Sequence, residues 1–565
     1  MSLKKIINLL WGFSLLLFLY SCGSSKSLDY SSIPVNSVFK GELKNNSHIY
    51  LIKKPQEQAF MSGSYFFHNK AVENIYSYSV DNSGNIVFYT DNSFYNGKIK
   101  ADKKNNLTLS LPEIPGRQNE KQNVELISLG VLEEKNYPLR YKEKIHSGIK
   151  VKKDLEYSKA NGFYTSYPIA QIPNRNLKNL SSQLLSALGQ STKNTKELSL
   201  SFNVYEPAND KLKNRPLILY VHGGAFYFGD KENTLQQVLA DTFVEKGYVV
   251  ISMNYRLGTN IREGTKAIEK AIYTGTQDVR SALRYIIKNK DGLGIDPQQI
   301  YLVGNSAGGI IALNTIFMDD DEIFLSVHKD WNNFGPLDPP GDKLDNQFRW
   351  AGVVSLWGAM ADPSIIKNNP PVPTLLFHGT ADDIVNPGKG LPYKNFFQEY
   401  LNHRVGNSIT NFVNTFLLSE WTMHGSSNIY KQMNSLDFPV EYVEFPSYGH
   451  EPQENEDGSF NENMSIIQIK MDDFLNKNVI NHYFNQVLVG NNIITRDSQT
   501  SSFQIVNAGD KKVDWEVEGG YITNQTPNTI QVVWFGNTPI NKKVKAYITD
   551  ENGITAKKEL LILII

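Results

Sequence analysis

Short, uninterrupted apolar runs recur through the middle of the chain. They are Leu217-Ile218-Leu219-Tyr220-Val221, Val249-Val250-Ile251-Ser252-Met253, Ile300-Tyr301-Leu302-Val303 and Thr374-Leu375-Leu376-Phe377, each closed by Gly, His or Asn. A run with no polar alternation is the signature of a strand buried on both faces. Between these runs lie helical stretches. Residues 278–289 place Val279, Leu283, Ile286 and Ile287 on one face at 3.6-residue spacing. Buried strands separated by helices predict a mostly parallel central sheet with flanking helices, an α/β domain over residues 151–480. Two stretches break the rhythm, 319–348 and 388–421. Long excursions at the carboxyl edge of such a sheet are expected to be lids or pocket walls.

The flanks have a different texture. Across residues 37–150, Tyr78 and Val80 lead into the turn Asn82-Ser83-Gly84-Asn85, and Leu107, Leu109 and Leu111 alternate with polar residues. That period of two predicts half-buried strands and an N-terminal β-rich domain. After residue 498 the helices stop. Val513 to Val517, Ile530 to Trp534 and Val544 to Ile548 read as strands, with Asp550-Glu551-Asn552-Gly553 as a turn and the run from Leu560 to Ile565 as the last strand. A C-terminal β-sandwich over 498–565 is expected. Its Trp515-x-Val517-x-Gly519-Gly520 resembles the immunoglobulin-like PKD-type modules of secreted bacterial proteins.

Length and composition agree with several folded domains. The chain has 565 residues, 40% hydrophobic and 20% charged, with a formal net charge of −1. A near-neutral chain with no basic cluster has nothing to steer it toward nucleic acid. No His, Cys, Asp or Glu group has metal-ligand spacing, and no glycine loop carries a phosphate-binding lysine. Neither a metal nor an organic cofactor is expected.

Residues 1–21 read as an export signal. Lys4 and Lys5 precede an apolar stretch from Ile6 to Tyr20, shorter than the roughly 20 residues that span a bilayer comfortably. The stretch ends in Leu19-Tyr20-Ser21-Cys22-Gly23, which resembles the lipobox of bacterial lipoproteins. That resemblance implies acylation of Cys22, the one cysteine of the chain, and anchoring in the cell-envelope membrane, on its periplasmic side or at the cell surface. A plain signal peptide that happens to contain a cysteine is the alternative. Residues 22–36, rich in serine, read as a tether.

The chemistry centres on Gly304-Asn305-Ser306-Ala307-Gly308, a G-x-S-x-G set between the apolar run 300–303 and the helix-like Ile310-Ile311-Ala312-Leu313. Strand, sharp turn and helix form a nucleophile elbow, with Ser306 at its tip and a helix N-terminus beneath it. Upstream, Val221-His222-Gly223-Gly224-Ala225-Phe226 closes another buried run. Together with Asn254-Tyr255-Arg256-Leu257-Gly258, Asp278-Val279-Arg280 and Asp296-Pro297, these motifs resemble the α/β-hydrolase carboxylesterases and lipases of the hormone-sensitive-lipase and acetyl/feruloyl-esterase branch. The resemblance covers most of residues 200–455. It implies an α/β-hydrolase fold, with an oxyanion hole from the N–H groups of Gly224, Ala225 and Ala307. The family often has glycine where this chain has Ala225. Arg256 and Asp278 read as structural.

The family's acid segment matches His378-Gly379-Thr380-Ala381-Asp382-Asp383-Ile384-Val385, which implies Asp382, with Asp383 as the alternative. Among ten histidines, His450 follows both an expected strand (Val440 to Phe445) and the turn Ser447-Tyr448-Gly449. Ser306, Asp382 and His450 then stand in the chain order of this fold, with His424 as the alternative base. His222 and His378 read as hydrogen-bonded structural residues. The implied activity is hydrolysis of a small-molecule or carbohydrate-linked carboxylic ester through an acyl-enzyme. A prolyl-oligopeptidase-type peptidase and a non-catalytic scaffold displaying its β modules are the alternatives. About 100 residues of N-terminal β structure fall far short of a seven-bladed propeller, which needs on the order of 280.

Overall fold

The computed structural model describes residues 33–565 apart from 35–36, 44–47, 54–60, 69–75, 82, 90–93, 102–105, 112–121, 132–136, 164–194, 228, 259–262, 340–343, 345–346, 368–370, 393, 395–420, 456, 496–499, 535–541 and 565. The export signal, Cys22 and most of the tether lie outside the described residues. So does most of the expected lid at 388–421. The chain divides into two compact units, one of Met1–Asn136, Gln486–Ile548 and Lys557–Ile565, the other of Tyr137–Asn485 and Thr549–Ala556.

The N-terminal strands close on themselves. β1 (Ser37–Glu42), β2 (His48–Lys53), β3 (Met61–His68), β4 (Tyr76–Val80), β5 (Asn85–Tyr89), β6 (Phe94–Ala101), β7 (Leu107–Leu111) and β8 (Gln122–Val131) form an up-and-down barrel sealed by the antiparallel pair β1–β8. Alternate side chains fill it. Ile49, Leu51, Ile86, Phe88, Leu109 and Val124 are almost wholly buried, so the interior is a packed core.

The second unit is built on an eight-stranded sheet in the order β19-β16-β14-β13-β11-β12-β10-β9. Its strands are β9 (Ile149–Phe163), β10 (Thr195–Pro207), β11 (Arg215–Val221), β12 (Val249–Met253), β13 (Ile295–Asn305), β14 (Trp350–Leu356), β16 (Thr374–Gly379) and β19 (Val440–Phe445). The run from β19 to β12 is parallel, whereas β10 lies antiparallel to both β12 and β9. A small second sheet joins β15 (Ala359–Met360), β17 (Lys389–Gly390) and β18 (Met423–Gly425).

Helices cover both faces. Leu217, Leu219, Val221, Ile251 and Leu302 share one core with helices α2 (Thr265–Lys288), α3 (Ala307–Phe317) and α4 (Ser426–Ser435). On the opposite face, Phe474 of α5 (Glu462–Tyr483) packs beside Gly352 and Tyr301. Helix α1 (Thr234–Phe243) is capped by Asn233, whose side chain accepts from the Gln236 N–H. Each fully buried Leu or Ile in these layers contributes roughly 1.5–3 kcal/mol. All eleven residues of α3 are buried. A helix apolar on every side belongs in a core, and this one carries Ser306 at its N-terminal end.

Two elements depart from the pattern in the sequence. Helix α2 begins at Thr265, one long helix where only 278–289 was expected. A Cβ on its Gly275 would come within 2.5 Å of Ile311, so the glycine lets α2 cross α3 closely. The excursion at 319–348 is, in its described part, a set of short turns packed on α2. Lys270 pairs with Asp330, the Tyr273 hydroxyl donates to the Gly335 carbonyl, and Arg280 and Arg284 both hold Asp338.

The C-terminal strands make a four-stranded sheet of β20 (Val487–Gly490), β22 (Thr500–Val506), β25 (Thr529–Trp534) and β24 (Gly520–Gln525), and a three-stranded sheet of β23 (Lys512–Glu518), β26 (Lys543–Thr549) and β27 (Thr555–Leu561). The terminal run is not one strand. It is split at the buried Ile562 into the end of β27 and β28 (Leu563–Ile564), which pairs with β21 (Ile493–Ile494).

The pair read as structural in the sequence has that place. The Asp278 carboxylate accepts from the Arg256 backbone N–H at 2.7 Å and from its guanidinium, and both side chains are largely buried. It ties the segment after β12 to α2. Asp278→Ala leaves a buried guanidinium without a counter-charge and is expected to cost about 3–5 kcal/mol, read from the urea midpoint. The double replacement Arg256→Met with Asp278→Leu should cost clearly less.

Candidate active site

Four loops at the carboxyl ends of parallel strands build the site, where an open α/β sheet presents its crevice. After β13 the backbone turns sharply into α3. Ser306 sits at the turn with φ 53° and ψ −121°, a conformation that costs a residue with a Cβ on the order of 1–3 kcal/mol. The turn is held by packing. A Cβ on Gly304 would lie 2.2 Å from the Gly308 carbonyl oxygen, and one on Gly308 would lie 2.1 Å from that of Val221. The Ser306 N–H donates to the Leu356 carbonyl at 2.8 Å, which aligns the turn with β14. Only 6% of Ser306 is exposed.

The loop after β19 brings His450 to this serine. Its Nε2 lies 2.9 Å from Ser306 Oγ and its Nδ1 lies 2.7 Å from Asp382 Oδ2. A carboxylate only accepts, so Nδ1 carries the proton and Nε2 offers its lone pair to the serine hydroxyl. Asp382, in the loop after β16, is fixed from all sides. Its Oδ1 accepts the N–H groups of Ile384 and Val385, each at 2.9 Å, and its side chain is fully buried. Asp383 is exposed. His424 contacts Asn428 on α4. Of the alternatives open in the sequence, Asp382 and His450 are the ones brought to Ser306.

His378 adds a contact the sequence did not assign. Its Nε2 lies 2.8 Å from the Val385 carbonyl and 3.1 Å from Asp382 Oδ2, and its Nδ1 lies 2.8 Å from Ser426 Oγ. The carbonyl can only accept, so Nε2 holds the proton and also faces the carboxylate. Burial opposes ionisation of Asp382, but the two histidines outweigh it and hold the carboxyl well below the ordinary carboxylate range. Burial likewise disfavours a charged His450, yet Asp382 prevails and raises its pKa above the usual histidine value. For His222 burial wins, and its pKa falls to about 4. His222 is therefore a neutral ring, stacked on Tyr255 with Nδ1 2.7 Å from the Gly223 carbonyl.

The loop after β11 lies against the elbow. Asn305 Oδ1 accepts the Gly223 N–H at 2.9 Å and the Tyr220 hydroxyl at 2.7 Å. Gly224, Ala225 and Phe226 all have positive φ, at 113°, 53° and 67°. Ala225 thus takes up a backbone conformation that glycine adopts freely. Among the described residues none accepts the N–H groups of Gly224, Ala225 or Ala307, and the turn is closed instead by the Tyr227 N–H on the Gly224 carbonyl. Trp357, at the end of β14, packs edge-on to His450 with ring centroids 6.3 Å apart. No signal in the sequence marked Asn305. Among the described residues no three His, Cys, Asp or Glu side chains are grouped to hold a metal, and no helix is long and apolar enough to cross a membrane.

Known proteins resemble part of this chain. The family model BD-FAE matches residues 202–338, a stretch that contains the loop after β11 and the Ser306 elbow but neither Asp382 nor His450. Esterase-5C of Drosophila pseudoobscura pseudoobscura is 30% identical over 143 residues, 25% of this chain and 25% of that protein. Venom carboxylesterase-6 of Apis mellifera is 33% identical over 111 residues, 20% of this chain and 19% of that protein. The chain thus spans about a quarter or less of the length of the curated relatives it matches. Among solved structures, Thermogutta terrifontis esterase 2 phosphonylated by cyclosarin aligns with 50% of this chain and 89% of its own at 19% identity, with a TM-score of 0.34.

The electrostatics give a direct expectation. In a histidine NMR titration, His450 should stay protonated to higher pH than a free histidine of pKa about 6.5. Asp382→Asn removes the charge that raises it and leaves the burial that lowers it, so the midpoint should drop below that value. An unchanged midpoint would show that Asp382 does not set the charge on this ring.

Proposed function

We propose that this chain is a serine carboxylesterase with an α/β-hydrolase catalytic unit. The observation that carries this reading is one unbroken hydrogen-bonded line, Ser306 Oγ to His450 to Asp382, beside N–H groups that no described residue accepts. His450 Nε2 takes the hydroxyl proton as Ser306 attacks the ester carbonyl. Asp382 holds the tautomer and stabilises the imidazolium. The oxyanion that forms is received by the N–H groups of Gly224, Ala225 and Ala307, at the start of a helix whose dipole favours negative charge. The alcohol leaves with the proton from His450. Water activated by the same ring then hydrolyses the acyl-enzyme. The match of the BD-FAE family model to residues 202–338 and the similarity to named esterases support the reading. The substrate class proposed is a small-molecule or carbohydrate-linked ester. We further propose that the chain is exported and that acylated Cys22 anchors it in the cell envelope.

Hydrolysis of p-nitrophenyl acetate and butyrate tests the activity, with a peptide p-nitroanilide in the same panel to separate ester from amide cleavage. Ser306→Ala should lower kcat by about 10⁴-fold or more, and adding His450→Ala should cost little further, because these side chains act as a unit. Asp382→Asn should lower kcat by up to about 10⁴-fold, while Asp383→Asn changes it little. Retention of a tenth of the wild-type rate by Ser306→Ala would end the assignment. Separately, Cys22→Ala should release the protein from membranes with its ester hydrolysis unchanged, and lipid labelling that survived the substitution would remove the anchor.

A further inference from the structure

Asp382 lies between two histidines, and each histidine ends on a serine. On one side stand His450 and Ser306. On the other, His378 Nε2 lies 3.1 Å from Asp382 Oδ2 and 2.8 Å from the Val385 carbonyl, which can only accept. Nε2 therefore holds the proton, and Nδ1 is left as an acceptor. Ser426 Oγ lies 2.8 Å from that Nδ1 and 3.4 Å from the Phe377 carbonyl, so its single hydrogen goes to the nearer atom, the ring nitrogen. The line Ser426–His378–Asp382 thus repeats the donor order of Ser306–His450–Asp382. His378 and Ser426 are both fully buried. No substrate reaches them, and this second line performs no chemistry of its own.

What it can do is fix the acid. The Val385 N–H donates to Asp382 Oδ1, and the Val385 carbonyl accepts from His378, whose Nε2–H also faces Asp382 Oδ2. These contacts close a circuit around the carboxyl group. Pinned by Oδ1 alone, the group could still turn about its Cβ–Cγ bond, a torsion with broad preferences. A donor fixed at Oδ2 removes that freedom. Ser426 in turn holds the His378 ring, and it is the first residue of α4, directly after Gly425, which pairs with Ala359 of β15. We propose that His378 and Ser426 are positioning residues, a sealed second arm that aims Asp382 Oδ2 at His450. The kinetic consequence rests on the esterase reading, whereas the hold on the His450 proton does not.

Two measurements on the full chain test this. In hydrolysis of p-nitrophenyl acetate, His378→Leu should lower kcat by about tenfold to a hundredfold with KM within about twofold, the loss expected when one hydrogen bond to a charged group is removed. His378→Gln, whose Nε2 can take the place of the ring Nε2, should recover most of that loss. Ser426→Ala should lower kcat about threefold or more, and it decides the matter if His378→Leu fails to fold. In proton NMR of the chain labelled with ¹⁵N-histidine, the His450 Nδ1–H should give a downfield resonance, assigned by its loss in His450→Asn. His378→Leu and Ser426→Ala should each hasten its exchange with water, by about tenfold and threefold or more. If the wild-type chain cleaves no ester, the esterase reading fails and the resonance alone judges the arm. Unchanged exchange of that proton in the folded variants would overturn the proposal. So would a wild-type kcat in Ser426→Ala, or a loss in His378→Gln as large as in His378→Leu, which would mark the ring as mere filling.

Discussion

A Cβ on Gly308 would lie 2.1 Å from the carbonyl oxygen of Val221, so the first turn of α3 begins in contact with the end of β11. That approach decides where the other parts of the site can be. It forces the chain to reverse within one residue after β13, and that residue is Ser306 with φ 53°. Strain of about 1–3 kcal/mol at one position is small against the apolar core in which all of α3 is buried. The core therefore holds the serine in a conformation that its own backbone disfavours. The same closeness puts the loop after β11 beside the serine, because Gly223 can approach Asn305 and Ser306 only without a side chain.

Asp382 and His450 are held by a different balance. Asp382 is fully buried, where an isolated carboxylate would neutralise by taking up a proton. Two backbone N–H groups and two imidazoles surround it, and the combined effect keeps it ionised. One of those rings, His378, is sealed in the interior between the carboxylate, the Val385 carbonyl and Ser426. The other, His450, keeps 16% of its side chain exposed. The two rings share one anion but not one role, since only His450 can meet both Ser306 and solvent. A glycine again permits the arrangement. A Cβ on Gly379 would lie 2.2 Å from the Gly449 carbonyl oxygen, so β16 and the loop bearing His450 come together only because position 379 is bare.

Much of this was legible in the chain. The apolar runs at 217–221, 249–253, 300–303 and 374–377 are strands because each is buried on both faces, a signal that needs no knowledge of the partner strand. Ser306 and His450 stood out because a turn with glycine followed a strand in each case, whereas Asp382 was reached only through the resemblance of its segment to a family motif. What the sequence hid depends on contacts between distant residues. Thr274-Gly275-Thr276 looks like a break in a helix, yet Gly275 is there so that α2 can lie against Ile311. Barrel closure rests on the pairing of β1 with β8, far apart in the chain, and no local pattern reports it. Asn305 occupies a variable position of its motif, and its value lies wholly in reaching Gly223 and Tyr220.

Asn305 also explains how two loops from different strands act as one surface. Its carboxamide oxygen receives the Gly223 N–H and the Tyr220 hydroxyl, whereas its backbone leads directly into Ser306. The position of Gly223 is thus referenced to the serine itself through one short side chain. The next two residues, Gly224 and Ala225, are left-handed and follow from that anchor point. Any shift of the elbow would carry Gly223 with it through the Asn305 oxygen. On the proposed mechanism, charge that develops on a group attacked by Ser306 would be met by N–H donors whose distance from the serine was set when the domain folded. Donors fixed in advance do not have to reorganise as charge appears, and that is where such a site gains over water.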